Sequence, residues 1–294
     1  MSHPDGYERT SERLTEDAHQ AREGDHLIYL LHLATYDFAI PYAAGRRVLD
    51  FGCGTGYGTH RIAPRCDSIT GVDVSREAVT FARERYRADN LDFRAIAPVE
   101  DAALPFADGS FDAVLSFQVI EHVPDAGRHL AEASRVLADN GLLIVATPDR
   151  TTRLLPGQRP WNRYHRVEYA PEELRAVLQP HFSSVDLYGM GGDEAIIGRE
   201  LARSRWLKVA TLPFTFPGAP EPWRLLGLDA LKRVQARIQR RDHSGPGERR
   251  PEGAAGGAGD VPTSPRSYGY DEHAIRIAPG VRPSVNIVAV ARKS

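Results

Sequence analysis

Short apolar runs alternate with helical patterns between Val48 and Pro148, and this alternation constrains the fold more than any other feature of the sequence. In chain order, the runs read VLDFG, SITGVDV, LDFRAIA, FDAVLSF and GLLIVAT. Strands that alternate with helices along the chain are typical of a parallel sheet whose two faces are covered by helices. We therefore predict an α/β fold built on a mostly parallel sheet.

The sheet is predicted to continue after the fifth run. The segment PEELRAVLQPHF starts with Pro171 and two glutamates, which favours a helix start, and SVDLYGMGG from Ser184 has the pattern of a sixth strand. The alternation then stops until SVNIVAVAR, an apolar-dense strand at the end of the chain. These segments predict seven strands, with a long insertion before the last one.

Composition and charge exclude several classes of protein. No apolar run approaches the roughly 20 residues that span a bilayer, and the polar start MSHPDGYERTSERLTED lacks a secretion signal, so a cytoplasmic location is predicted. Two cysteines, Cys53 and Cys66, are too few for a disulfide framework. The net charge of -2 gives no indication of a nucleic-acid partner.

A glycine-rich turn follows the first run directly, in the string VLDFGCGTGYGTH. The glycines at 52, 54 and 56 have the spacing G-x-G-x-G, which differs from the G-x-G-x-x-G of dinucleotide-binding folds, and no phosphate-loop lysine follows. Glycines at such a turn let a ligand approach the backbone amides closely. Asp50 precedes the turn, and its carboxylate favours a cationic ligand.

The loop, together with Asp73 at the end of the second run, resembles the class I S-adenosylmethionine-dependent methyltransferases over roughly residues 46 to 188 and the last strand. The resemblance implies a Rossmann-like fold, a methyltransferase enzyme, and S-adenosylmethionine as the cofactor with S-adenosylhomocysteine as its product. It also implies that the loop wraps the methionine part, while Asp73 binds both ribose hydroxyls, as a carboxylate can accept two hydrogen bonds.

Further cofactor contacts follow from the same resemblance. Glu100 or Asp101 is expected near the adenine, and both stay candidates, whereas Phe117 and Gln118 are expected beside the sulfonium. The full set of implied cofactor-binding residues is Asp50, Gly52, Cys53, Gly54, Gly56, Asp73, Val74, Glu100, Asp101, Phe117 and Gln118.

Three parts of the chain are predicted. Residues 1–45 form a helical arm that covers the sheet or the cofactor, and residues 46–190 plus 284–294 form the S-adenosylmethionine-binding catalytic core. Residues 191–283 form an insertion that acts as a helical acceptor lid. Within the insertion, about 243–266 is rich in glycine, proline and charge, a composition typical of disorder.

The string RPWNRYHRVEYAPEEL is similar to bacterial methyltransferases of glycans and glycan-like natural products. Trp161, Asn162 and Tyr164 suit a sugar, because aromatic faces and short polar groups together hold polyols. The expected reaction is O-methylation of a sugar, a glycan or a glycosylated natural product, so the partner is a small-molecule or oligosaccharide acceptor. N-methylation, phenolic or quinone O-methylation, and a non-enzymatic scaffold or sensor are the alternatives.

An alcohol acceptor needs a base near the methyl group. His122 matches the histidine of the family's E-H-V segment and follows the fourth strand closely, while a purely structural loop contact is its alternative role. His165 is the rival base or an acceptor-binding residue. No metal is expected, because metal-dependent members of the family present carboxylates at the fourth and fifth strand ends, where this chain has Gln118 and a lone Asp149.

The insertion contains a stripe of leucines and other apolar residues near 225–241, flanked by five basic residues. Such a basic amphipathic pattern either packs on the core with a solvated basic face or makes peripheral contact with anionic lipid or an acidic acceptor. Trp206, Phe214, Phe216 and Trp223 add apolar contact surface to the predicted lid.

Overall fold

The computed structural model describes residues 23–242 and 274–294, and in that part of the chain eight strands form one sheet. The strands are β1 (Arg47–Phe51), β2 (Ser68–Asp73), β3 (Leu91–Ala95), β4 (Phe111–Phe117), β5 (Leu137–Pro148), β6 (Ser184–Gly192), β7 (Ile275–Ala278) and β8 (Asn286–Arg292). Their order across the sheet is β3-β2-β1-β4-β5-β8-β6-β7. The first five run parallel, whereas β8 pairs antiparallel with both β5 and β6, and β7 pairs antiparallel with β6.

Helices follow most of the strands and cover both faces of the sheet. They are α1 (Glu23–Ala43), α2 (Tyr57–Ile62), α3 (Arg76–Arg85), α4 (Ala126–Val136), α5 (Arg150–Arg153), α6 (Pro171–Leu178), α7 (Glu194–Ala210), α8 (Leu212–Thr215) and α9 (Glu221–Asp242). Side-chain caps fix several starts: Ser75 accepts a hydrogen bond from the amide of Ala78 at 3.2 Å, and Asp125 accepts one from Arg128 at 3.0 Å.

Two hydrophobic cores lie on opposite faces of the sheet, as expected for strands buried on both sides. Along β5, Leu142 and Ile144 pack into one core with residues of α1, α2 and α3, while Leu143 and Val145 pack into the other with residues of α4 and α6. This alternation has the period of two that an extended strand imposes on its side chains.

The predicted α/β Rossmann-like fold is confirmed, with one strand more than the predicted seven. The additional strand, β7, lies inside the segment 191–283 and pairs with β6, so it forms the edge of the sheet without changing the order of the other strands. The predicted loop at about 243–266 and residues 1–22 of the arm lie outside the described residues. None of the helices described is long and apolar enough to cross a membrane.

Candidate active site

One cavity of about 1120 Å³ opens at the carboxyl ends of β1, β2 and β4. The strand order reverses between β1 and β4, because β2 and β3 continue to one side and β5 to the other. Loops that leave neighbouring strands in opposite directions open a crevice at this point, which is where open α/β sheets bind their ligands. Gly52, Asp73 and Phe117, at these three strand ends, line the cavity.

The glycine loop forms one wall. Gly52, Gly54 and Gly56 have φ angles of 101°, 56° and 82°, in the left-handed region that favours glycine. A Cβ at Gly52 would lie 2.3 Å from a methyl group of Val119, whereas a Cβ at Gly54 would meet no atom within 4 Å. Gly52, Cys53 and Gly54 line the cavity.

Gly56 stands outside the cavity lining, although the sequence assigned it to the cofactor. A Cβ at this position would lie 2.7 Å from the ring of Phe93 and 2.8 Å from the Cβ of Ala82. Gly56 thus lets the loop pack closely against β3 and α3 behind it.

Asp73 connects the loop to the cavity. Its Oδ2 accepts a hydrogen bond from the amide of Gly54 at 3.0 Å, and its Oδ1 accepts one from the amide of Ser75 at 2.8 Å. The residue is 8% exposed and lines the cavity together with Val74. A carboxylate has about four acceptor positions, so holding the loop amides is compatible with binding ribose hydroxyls.

Asp50 lies behind the loop and does not line the cavity, and its contact with the cofactor stays a prediction. It is 1% exposed, and its Oδ2 accepts hydrogen bonds from Tyr36 at 2.9 Å and Thr59 at 2.6 Å. Its Oδ1 has no hydrogen-bond partner among the described residues, and burial raises the pKa of the carboxyl to about 6. Asp50 therefore ties α1 and α2 to β1.

Two aromatic residues that sequence reasoning missed lie in the cavity lining together with the glycine loop. Tyr36 and Tyr57 line the cavity, as does His32, whose Nδ1 lies 2.7 Å from the Tyr57 hydroxyl. The ring of Tyr36 packs edge-on against Phe117 with centroids 5.0 Å apart. His32 and Tyr36 are four residues apart and therefore lie on the same side of α1. Two polar groups on one side of a mainly apolar helix are the sequence signal that could have identified them as cavity residues.

The predicted adenine side is lined by both candidate acids, Glu100 and Asp101, and by Val99. Sequence reasoning missed His129, which also lines the cavity, stacks on Phe51 at 4.1 Å between ring centroids, and hydrogen-bonds Ser116 at 3.0 Å. Burial lowers the pKa of His129 to about 4, so it is neutral at ordinary pH.

Gln118 follows β4 with a φ of 56°, which is uncommon for a residue other than glycine. Its backbone amide donates to the carbonyl of Ala146 at 2.8 Å, while its side-chain Nε2 is buried without a partner among the described residues. Gln118 and Phe117 both line the cavity. An unpaired buried amide at a cavity wall is costly unless a ligand supplies its acceptor.

His122 and His165 both line the cavity and lie against each other, with ring centroids 4.8 Å apart and planes nearly perpendicular. His122 Nδ1 lies 3.1 Å from the backbone oxygen of Tyr164. Because a carbonyl oxygen only accepts hydrogen bonds, Nδ1 carries the proton of the neutral ring, and the basic lone pair is on Nε2.

His165 has a different hydrogen-bond pattern. Its Nδ1 donates to Glu168 at 2.8 Å, and its Nε2 accepts from the side-chain amide of Asn162 at 2.9 Å. The Asn162 oxygen in turn accepts from the amide of Tyr164, which fixes the orientation of the amide group. The lone pair of the neutral His165 is thus directed to Asn162, which makes this histidine less suited than His122 to removing a proton.

A buried ion pair supports His165. Burial acts to raise the pKa of Glu168, but Arg153 and His165 outweigh burial and hold that pKa at about 2. Arg153 donates two hydrogen bonds to Glu168, at 3.0 and 3.2 Å, and its guanidinium lies 4.0 Å from the ring centroid of Trp161. Trp161 is therefore held as a wall of the cavity by a cation–π contact.

The helical part of the insertion completes the cavity. Glu200, Arg203, Glu221, Arg224 and Leu225 line it, and Arg224 donates to the backbone oxygens of residues 160, 162 and 163. A hydrogen bond of 2.6 Å from Arg163 to Asp229 adds a second connection. The segment around Trp161 and the insertion helices thus form one wall.

The described residues include one cluster that could hold a metal ion. Glu121, His122 and His165 each offer a ligand atom, and these atoms lie within 4.8 Å of one another. Glu121 is fully buried, its Oε2 accepts from Thr147 at 3.0 Å, and burial raises its pKa. The expectation of metal independence therefore stays a prediction that chelation must test.

Comparisons with known proteins agree with this geometry. A family model described as a methyltransferase domain matches residues 49–145. A probable S-adenosylmethionine-dependent methyltransferase of Mycobacterium tuberculosis is 38% identical over 148 residues, which cover 50% of this chain and 52% of that protein. A ubiquinone biosynthesis O-methyltransferase of a Caulobacter species is 32% identical over 163 residues, covering 50% of this chain and 62% of the relative.

A solved structure from Thermotoga maritima, an S-adenosylmethionine-dependent methyltransferase described as a possible histamine N-methyltransferase, superposes with a TM-score of 0.53. It is 15% identical, and the match covers 92% of this chain and 95% of that one, so the likeness shows the fold alone. The chain spans about half the length of the curated relatives that it matches first.

Proposed function

We propose that this chain, which belongs to the class I S-adenosylmethionine-dependent methyltransferases, methylates a hydroxyl of a sugar, a glycan or a glycosylated natural product. The observation that carries the proposal is one continuous cavity. Its lining includes Asp73 and the glycine loop together with His122, Trp161 and Asn162. A methyl donor and a polar acceptor can therefore meet inside it.

The residues present fit the cofactor. The glycine loop leaves open space at Gly54, Asp73 offers carboxylate oxygens for the ribose, and Glu100 and Gln118 each have a buried side-chain atom without a partner among the described residues. When bound, S-adenosylmethionine supplies a methyl group that its positive sulfur has already activated. The protein's own task is then to orient the acceptor and remove its proton.

We assign proton removal to His122 Nε2. With S-adenosylmethionine bound, methyl transfer would convert the hydroxyl to a methyl ether and release S-adenosylhomocysteine, and His122 Nε2 would take up the hydroxyl proton. Donation from Nδ1 to the Tyr164 carbonyl stabilises the imidazolium that results. His165, with Asn162 and Glu168, positions the acceptor.

The acceptor class rests on the segment around Trp161. Trp161, Asn162 and Tyr164 all line the cavity and bring aromatic rings and polar groups together there. A sugar ring has apolar C–H faces and a rim of hydroxyls, so this combination matches its surface.

Mass spectrometry tests the proposal directly. The protein is incubated with S-adenosylmethionine carrying a deuterated methyl group and with matched panels of glycosides, phenols and amines. We expect labelled product and S-adenosylhomocysteine with a glycoside hydroxyl. If phenols or amines are labelled and S-adenosylhomocysteine is released, but no glycoside is labelled, the proposed acceptor class is wrong while the methyltransferase activity stands.

Phenolic or quinone O-methylation is the second candidate. The Caulobacter relative, which is 32% identical over 163 residues, carries the name of an O-methyltransferase of ubiquinone biosynthesis. An aromatic acceptor could stack on Trp161 in place of a sugar ring. Labelling of catechols in preference to glycosides in the same panel would favour it.

A further inference from the structure

Exposed apolar side chains are concentrated on the helical insertion. Of the eight large hydrophobic residues that are exposed among the described residues, seven lie between positions 206 and 234. Trp206 is 52% exposed, Trp223 53% and Leu226 68%, whereas the eighth, Val167 at 36%, lies elsewhere. We call the seven the insertion face: Trp206, Val209, Leu212, Phe216, Trp223, Leu226 and Val234.

The members of the insertion face lie on or next to three consecutive helices, of which α8 contacts both α7 and α9. Trp206 and Val209 are three residues apart on α7, and positions 223, 226 and 234 repeat at the spacing of one side of α9. Between these helices, α8 connects the two sets, since Trp223 Nε1 donates to the backbone oxygen of Pro213 at 3.2 Å and its ring lies 6.2 Å from Phe214. Such a concentration of exposed apolar groups indicates an interaction site.

The charge of the insertion identifies the kind of partner. From α7 to the end of α9, residues 194–242 contain ten arginines and lysines against five aspartates and glutamates, although the whole chain has a net charge of -2. Arg205, four residues before Val209 on α7, and Arg233, on the same side of α9 as Leu226, are exposed beside the apolar groups. Tryptophan combined with basic residues is typical of surfaces that bind at a membrane interface.

We propose that the insertion face binds the surface of an anionic phospholipid bilayer, with its aromatic and aliphatic side chains at the level of the headgroups. A second copy of the chain is the less suitable occupant, because a symmetric dimer would bring two basic faces together. An anionic lipid surface neutralises the same charges, and each basic residue near it contributes about a fivefold gain in affinity.

The insertion face also has a defined position relative to the cavity. On α9, Glu221, Arg224 and Leu225 line the cavity, while the neighbouring Trp223 and Leu226 are exposed. Binding at this surface would therefore hold the acceptor side of the cavity within one helix width of the lipid.

Vesicle flotation of the full chain tests the proposal. We expect binding to vesicles of 70% phosphatidylcholine and 30% phosphatidylserine, and much weaker binding to phosphatidylcholine alone. Leu226→Glu and, separately, the double variant Arg205→Glu/Arg233→Glu should each weaken partitioning roughly tenfold or more. Val167→Glu, the matched change at an exposed apolar residue outside the insertion, should bind as the wild type does.

Thermal melting and affinity for S-adenosylhomocysteine, measured on every variant, separate loss of folding from loss of lipid binding. Absence of wild-type binding to the anionic vesicles, or equal loss with Val167→Glu, would overturn the proposal. Concentration-dependent dimerisation that Leu226→Glu abolishes, without vesicle binding, would assign the face to a second copy instead.

Discussion

Replacement of Asp73 separates two roles that one carboxylate combines. It accepts hydrogen bonds from the amides of Gly54 and Ser75, at 3.0 and 2.8 Å, and it is proposed to bind the two ribose hydroxyls. Hydrogen bonds to charged groups contribute about 1.5 to 3 kcal/mol each. Because Asp73 is only 8% exposed, water can satisfy the amides that lose its carboxylate only in part.

For Asp73→Ala we therefore expect the free energy of unfolding without ligand to fall by about 2 to 4 kcal/mol. Loss of two ribose contacts, at about 1.5 kcal/mol or more each, should weaken the affinity for S-adenosylhomocysteine at least 100-fold. Asp73→Asn retains one side-chain oxygen as an acceptor, so it should lose less stability than the alanine variant.

Chemical denaturation without ligand and calorimetric titration with S-adenosylhomocysteine measure the two effects separately. Asp139→Ala, which removes an exposed carboxylate on β5, is the control and should change stability by no more than about 0.5 kcal/mol. Unchanged affinity in Asp73→Ala would refute the ribose role. Unchanged stability would refute the anchoring of the loop.

Other predictions concern the acceptor side, pH and metal. His122→Ala should lower the single-turnover rate roughly 100-fold with little change in cofactor affinity, whereas His165→Ala should act mainly on the KM of the acceptor; the opposite pattern would exchange their roles. The pKa of His129 is about 4 in the folded state and 6.5 in the unfolded one, so the unfolded state binds more protons between these values. The free energy of unfolding should therefore decrease as the pH is lowered through this window. In His129→Phe, the decrease between pH 7 and 4.5, measured by denaturation, should be smaller than in the wild type by about 2 kcal/mol. Turnover is expected to persist in a chelator; loss that magnesium or manganese restores would instead identify Glu121, His122 and His165 as a metal site.

The local patterns of the sequence predicted most of the sheet. The five apolar runs from Val48 to Pro148 correspond to β1 to β5. One boundary departs from the local pattern: Leu130, Ala133 and Leu137 repeat at helical spacing, but α4 ends at Val136. Leu137 already pairs with Phe111 in the sheet, so strand pairing overrides the local helical pattern there.

The contacts of the cavity depended on tertiary packing that spacing does not reveal. Asp50 precedes the glycine loop in sequence, yet it does not line the cavity, and Tyr36, from a helix at the start of the described chain, donates a hydrogen bond to it. His129 reaches the cavity from α4 by stacking on Phe51, 78 positions earlier in the sequence. Partners so distant along the chain leave no periodic signal, so only the structure identifies them.

The backbone of the glycine loop is held in shape by the sheet itself. The amides of Gly52 and Cys53 both donate to the carbonyl of Val72, at 2.8 and 3.0 Å, and the amide of Gly56 donates to the carbonyl of Cys53 at 3.0 Å. Ordering a loop residue costs about 1 to 2 kcal/mol of backbone entropy, and here that loss occurs on folding, before any ligand arrives. Affinity for a small ligand is consequently coupled to the pairing of β1 with β2: weakening this pairing would loosen binding through entropy, although no atom that contacts the ligand had changed.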